Sequence, residues 1–196
     1  TTDCRTLGDA VSTLQLFDLP LAGLQLLHQR SHEDDRGRFT RLFCEGFLAD
    51  NGAAFSIRQI NHSLTRERGT VRGLHFQFPP HAESKLISCL RGCVWDVVVD
   101  VRRGSPTFLS WHAELLEEGR ATALLIPPGF AHGFQTLTND AELLYLHSAD
   151  YAPTHEGGLS VHDARLGIRW ALPILNLSDR DGGHPLLDEH FEGVEV

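Results

Sequence analysis

The sequence predicts an all-β domain built as a sandwich or barrel of two sheets. Short runs of alternating apolar and polar residues recur along the chain, the period expected of half-buried strands. Glycine and proline clusters separate these runs at roughly 8–12-residue spacing, a pattern of sandwiches and barrels. No long window shows a convincing helical period.

Residues 1–20 carry no strong period and read as a loose arm or an edge strand. Residues 21–28, LAGLQLLH, form a short apolar strand, and SHEDDRGRF packs charge with glycine as a turn. In FSIRQINHS, residues 55–63, Phe55, Ile57 and Gln59 alternate with Ser56, Arg58 and Ile60. From residue 70 the predicted strands come in quick succession. TVRGLHFQF is followed by a loop with paired prolines, KLISCLR by a turn at Gly92, and VWDVVVDVR places Trp95, Val97, Val99 and Val101 on one face. RRGSP turns into TFLSWHAELL, EEGRA turns again, and TALLIP, HGFQTLT and AELLYLHS complete the series. After ALPILNLSDRDGG a short helix is expected around 185–192. With no internal repeat or linker, residues 1–196 are expected to form one domain with an N-terminal arm and a C-terminal tail.

Hydrophobic residues are 41% of the chain and charged residues 22%, an ordinary globular balance. A net charge of −9 argues against general binding to nucleic acid. It does not exclude a small anion held by a few focused arginines. Cys4, Cys44, Cys89 and Cys93 contain no CxxC pair and are expected to be reduced. No apolar run approaches the ~20 residues of a membrane span. The first residues lack a signal-peptide layout, so a cytoplasmic location is expected.

Several residues could carry chemistry. Strand parity groups Val71, Gly73, His75 and Gln77; a glycine beside a titratable ring marks a bulge or a close ligand. Lys85 shares a face with Ile87 and Cys89, and a lysine among apolar neighbours needs a charged partner or a function. The Pro-x-Gly-x-x-His segment around His132 puts that ring at a barrel mouth. Tyr145 shares parity with Leu143 and His147, as a core tyrosine would, but its hydroxyl needs a partner. In LSDRD, Ser178 to Asp181 read either as a helix cap or as an aspartate that orients a histidine beside an anion-binding Arg180. A metal centre built on His75, Glu83 and His132 is disfavoured. Gln77 stands where a second imidazole would be needed, and Lys85 adds positive charge.

The segments DDRGRF (34–39), QINHS (59–63), GTVRGLHFQ (69–77), KLISCLRGCVWDVVVDVRRGSPTF (85–108), IPPGFAHGFQTL (126–137), LYLHSADYAP (144–153) and LSDRD (177–181) resemble the dTDP-4-dehydrorhamnose 3,5-epimerase family. The resemblance runs through nearly the whole chain in order. It implies a jelly-roll cupin fold with short helical extensions, a homodimer, and an isomerase that needs neither metal nor cofactor. The implied substrate is a nucleotide-linked 4-keto-6-deoxyglucose of dTDP-rhamnose biosynthesis, inverted at C3 and C5.

By the same resemblance His75 is the base and Asp181 its partner. Lys85 stabilises the enolate, Tyr145 is the acid on the far side of the sugar, and His132 is a second active-site histidine. Arg72 and Arg180 match pyrophosphate contacts. Arg36 and Phe39 match a segment that contacts the nucleotide, often from the partner subunit, and Gln59 and Asn61 match polar ligand contacts. The residue types suit the chemistry: a C–H beside a ketone is weakly acidic, and a base titrating near neutrality removes it best. Two features depart from the pattern. Arg41 stands near where the family commonly has a glutamate, which leaves the nucleotide base open. Strict parity also puts Arg72 opposite His75, so a bulge at Gly73 or a ligand across the sheet edge is required. The alternatives are a single-centre epimerase, an epimerase of another nucleotide sugar, and a non-catalytic or metal-dependent cupin.

Overall fold

The structure, a computed structural model, describes residues 14–196. Among the described residues thirteen strands form three antiparallel sheets. In chain order they are β1 Leu14–Asp18, β2 Gln25–Gln29, β3 Ser31–Asp34, β4 Gly37–Thr40, β5 Gln59–Thr65, β6 Val71–Gln77 and β7 Lys85–Arg91. Then come β8 Cys93–Asp100, β9 Trp111–Glu117, β10 Thr122–Ile126, β11 Phe130–Thr136, β12 Ala141–His147 and β13 Glu156–Gly158. The larger sheet runs β1-β2-β10-β7-β12-β5, the second β13-β6-β11-β8-β9, and β3-β4 is a separate hairpin. The expected all-β, two-sheet architecture is therefore the one adopted.

Three apolar clusters hold the sheets. Ile87, Leu124, Ile126 and Leu143 of the larger sheet meet Val94, Val98, Phe130 and Phe134 of the second sheet between the layers. The outer face of the second sheet, with Val97, Val99 and Val101, packs against Leu159, Val161, Leu166 and Val194 of the C-terminal segment. Leu48 and Phe55 cover the outer face of the larger sheet against Leu27, Leu86 and Leu125. A strand such as VWDVVVDV is apolar on both sides because both of its faces are buried. Trp95, Val97, Val99 and Val101 do share one face, directed away from the space between the sheets.

Of the two readings of residues 1–20, loose arm or edge strand, the described part from Leu14 is an edge strand paired with β2; Cys4 lies outside the described residues. Elsewhere the structure departs from the sequence reading. No helix forms at 185–192. There the Leu187 N–H is taken by Asp163, the Pro185 carbonyl accepts from Ser160, and Leu187 and Phe191 pack onto the outer cluster. These lateral bonds replace the intrahelical ones. Helices form instead at Glu45–Asp50 (α1) and Asp179–Gly182 (α2). The strand expected from Thr107 begins only at Trp111, because Ser105 and Thr107 bind the Asp100 carboxylate and curl the chain into a turn.

The bulge at Gly73 is the local event that shapes the site. Against β11, His75 pairs with His132 but Arg72 pairs with Phe134, so three steps on β6 span two on β11. Gly73 has φ +122°, and a Cβ there would lie 2.5 Å from the Gly133 Cα and 2.7 Å from the His132 carbonyl oxygen. Only glycine fits so close an approach at that φ. The extra residue corrects the simple parity. Val71 and Leu74 point into the outer cluster, whereas Arg72, His75 and Gln77 face the cavity between the sheets.

Candidate active site

A cavity of about 560 Å³ opens between the two sheets. Its floor is the larger sheet, lined by Lys85, His147, Gln59, Tyr145, Asn61 and Ser63. His147 lies between Lys85 and Gln59, Tyr145 between Ile87 and Asn61, and Leu143 between Cys89 and Ser63. Its opposite wall is the second sheet, where His75 and His132 are directly paired. The cavity brings together His75, Lys85, Tyr145, Asp181, Gln59, Asn61, Arg72, His132 and Arg180 from the sequence reading. Arg36 and Phe39 are not among its lining. They lie on the exposed β3-β4 hairpin, where Phe39 is 67% exposed and Arg36 pairs with Asp34.

His75 Nε2 donates to Asp181 Oδ1 at 2.7 Å, with the tautomer set by that acceptor. Asp181 Oδ2 accepts from the Gly73 N–H at 3.1 Å. Ser178 caps α2 by accepting from the Asp181 N–H, so LSDRD is both a helix cap and the arm that returns the carboxylate to the histidine. Burial opposes charge on Asp181, but the bond from His75, the electrostatic interaction with that ring and the Gly73 N–H outweigh burial and hold the carboxyl below its ordinary pKa. With Nε2 committed to Asp181, Nδ1 is the nitrogen available to a substrate.

Lys85 is buried and reaches across the layers. Its ammonium donates to the His75 carbonyl oxygen at 3.3 Å and pairs with Glu83 Oε1 at 3.2 Å. Glu83, a residue the sequence suggested only as a metal ligand, also accepts from Gln77 Nε2 at 3.1 Å and His147 Nδ1 at 3.2 Å. Burial raises its pKa, yet His147 and Lys85 together bring it below the usual value. Lys85 therefore has the charged partner that its buried position demanded.

His132 bonds both oxygens of Asp96, at 2.9 and 3.0 Å. Complete burial drives the Asp96 carboxyl above its ordinary pKa against the pull of His132. Asp96 was missed as a partner, though an acid inside VWDVVVD was a legible signal. Tyr145 packs on the inner core and has Ser63 Oγ 3.4 Å from its hydroxyl. Burial raises its pKa, so it is a protonated donor at neutral pH. Arg180 pairs with Glu156, which also accepts from the Tyr151 hydroxyl at 2.8 Å.

Of the metal set weighed from sequence, His132 is engaged with Asp96 and Glu83 with Lys85 and His147. The thiols of Cys44, Cys89 and Cys93 are free; burial pushes that of Cys89 up to about 12. The site thus offers a carboxylate-bound imidazole on one wall of the cavity, with an ammonium and a buried phenol from the larger sheet opposite. That set can remove a proton from carbon, steady an oxyanion and return a proton from another direction.

The family model for dTDP-4-dehydrorhamnose 3,5-epimerase matches residues 18–189. The dTDP-4-dehydrorhamnose 3,5-epimerase of Sinorhizobium fredii is 39% identical over 193 residues, 96% of this chain and 99% of that protein. The dTDP-4-dehydro-6-deoxyglucose 3-epimerase of Streptomyces bikiniensis is 41% identical over 158 residues, 80% of each. Among solved structures, a dTDP-4-dehydrorhamnose 3,5-epimerase of Bacillus anthracis with TDP and pyrophosphate bound superposes with a TM-score of 0.86 at 38% identity. That match covers 89% of this chain and 99% of the other. The fold is therefore the cupin-like jelly roll of those epimerases.

Proposed function

The chain belongs to the dTDP-4-dehydrorhamnose 3,5-epimerase family, and from that premise we propose how it works on dTDP-4-dehydro-6-deoxyglucose. It is an isomerase that inverts C3 and C5 to give dTDP-4-dehydrorhamnose, a step of dTDP-rhamnose biosynthesis. The observation that carries the assignment of roles is the placing of His75 and Tyr145 on opposite walls of one cavity, with the Lys85 ammonium between the sheets.

Both C3 and C5 flank the C4 ketone, so removing a proton from either gives an enolate on the same oxygen. His75 Nδ1 takes the proton, and Asp181 stabilises the imidazolium through Nε2–H. Lys85 faces the charge that grows on the C4 oxygen, the type of contact that contributes most in such reactions. Tyr145, on the larger sheet, returns a proton to the face of the sugar turned away from His75. A bond is thus broken on one side and remade on the other, which is inversion. His132 with Asp96 lines the same wall. Gln59 and Asn61 hold sugar hydroxyls, and Arg72 and Arg180 hold the pyrophosphate. No step calls on a bound metal or cofactor.

The chain forms a homodimer in which the exposed hairpin with Arg36 and Phe39 extends the cavity of the partner subunit toward the nucleotide. Exposure of Phe39 on that hairpin supports this role. Among the described residues no helix is long and apolar enough to cross a membrane.

The test is proton NMR of the dTDP-linked 4-keto-6-deoxyglucose with the protein in heavy water. Deuterium at both C3 and C5 with appearance of the rhamno product is expected. The similarity to the S. bikiniensis 3-epimerase favours one second reading, inversion at C3 alone, which deuterium confined to C3 would reveal. Exchange at neither carbon rejects both.

A further inference from the structure

The geometry points to a transition-metal site of the zinc class made by His75, Asp181 and His184, whose occupation switches the base off. Among the described residues these three bring one ligand atom each within 4.8 Å of one another. His75 Nε2 and Asp181 Oδ1 are 2.7 Å apart, and His184 Nε2 stands 3.8 Å from the same oxygen. Metal–nitrogen bonds of about 2.0–2.1 Å set tetrahedral ligand atoms roughly 3.3 Å apart. The first distance must open and the second close, each by about half an ångström, and His184 must swing toward His75. Two imidazoles and one carboxylate suit zinc, cobalt or iron(II) and leave a fourth position for water.

Two observations set His184 apart from an ordinary packed histidine. Its Nε2 is buried and has no hydrogen-bond partner, an arrangement that costs stability unless the atom has a use. Its ring also occupies space made by a glycine. Gly158 pairs directly with His75, and a Cβ on it would come within 2.1 Å of the His184 ring. The ring therefore sits edge-on to His75, with centroids 5.4 Å apart.

The consequence for catalysis follows from the tautomer and rests on His75 being the base. Without metal, the Nε2 proton is donated to Asp181 and the Nδ1 lone pair is free. A metal on Nε2 takes that nitrogen's lone pair, so the ring proton moves to Nδ1. No proton is gained or lost by the neutral ring, but the lone pair that would attack C–H is gone. Turnover falls while substrate binding is kept.

The experiment uses the full chain stripped with a chelator and titrated with Co²⁺ alone, read by its visible absorption. The chain holds twelve histidines, so the discriminating comparison is His184→Ala. We expect saturation at one equivalent in the parent chain, displacement by Zn²⁺, and at least tenfold weaker binding in His184→Ala. Zn²⁺ should lower kcat with KM unchanged, need at least tenfold more metal in the variant, and be reversed by EDTA. In EDTA the variant should turn over as the parent does. Should His184→Ala not fold, His184→Asn fills the space with a poor ligand and gives the same comparison. Equal Co²⁺ binding in parent and variant, or Zn²⁺ bound at one equivalent with full turnover, overturns the proposal. The Co²⁺ measurement needs no activity, so its failure is distinct from failure of the epimerase assignment.

Discussion

Asp181→Asn tests the proposed base more directly than removal of His75 itself. The substitution keeps the size of the side chain and can keep its bond from the Gly73 N–H, now at 3.1 Å. It changes what His75 meets. The carboxylate accepts from Nε2–H at 2.7 Å, a charge-assisted bond that holds the tautomer by about 1.5–3 kcal/mol. If the amide carbonyl keeps Gly73, the amide N–H₂ turns to His75 and must donate. It then favours the opposite tautomer by about 1 kcal/mol. The swing is about 2.5–4 kcal/mol, or roughly 10²–10³ in rate at 1.4 kcal/mol per tenfold. Loss of imidazolium stabilisation adds to it, so the expected fall in kcat is at least about 10²-fold, with KM nearly unchanged. Deuterium uptake at C3 and C5 under saturating substrate measures it. A fall below about tenfold, or a loss confined to KM, would refute the assignment of Asp181 as the group that sets the tautomer.

Other outcomes follow from the same geometry. Tyr145→Phe should impair net inversion more than first exchange, since only reprotonation needs the phenol; equal loss of both, by NMR, contradicts that role. Gly73→Ala places a Cβ 2.5 Å from the Gly133 Cα at φ +122°. Thermal unfolding should show a loss of about 4 kcal/mol, or roughly 8–16 °C in Tm. Glu83→Gln leaves the buried Lys85 without its anion and should cost about 3 kcal/mol near neutral pH by denaturant titration. Because the folded pKa of Glu83 is depressed, its contribution is complete above the ordinary carboxylate range and is lost as pH falls through the folded value. The gap between parent and Glu83→Gln should therefore close in acid, below about pH 4; a gap constant across that range contradicts the ion pair.

Much of this protein could be read from its residues alone. Alternation and turn spacing marked most strands of the two sheets, though not β13, because a period of two has a single sense once one face is buried. The family motifs, which lie in order along the chain, pointed to His75, Lys85, Tyr145 and Asp181, and the structure brings these four to one cavity. What remained out of reach were relations between distant segments. Parity put Arg72 and His75 on opposite faces, and only the packing of Gly73 against Gly133 shows the extra residue that turns both inward. Lys85 was plainly in need of an anion, but Glu83 lies two residues away on the sequence and folds back to meet it together with His147. His184 carried no signal, since its importance comes from the space that Gly158 leaves beside His75. Local pattern is set by each residue's own preference for water or core, and that is written in the order of residues. Distances between side chains on different strands depend on register, bulges and the closure of one sheet over the other, and these are decided only when the whole chain packs.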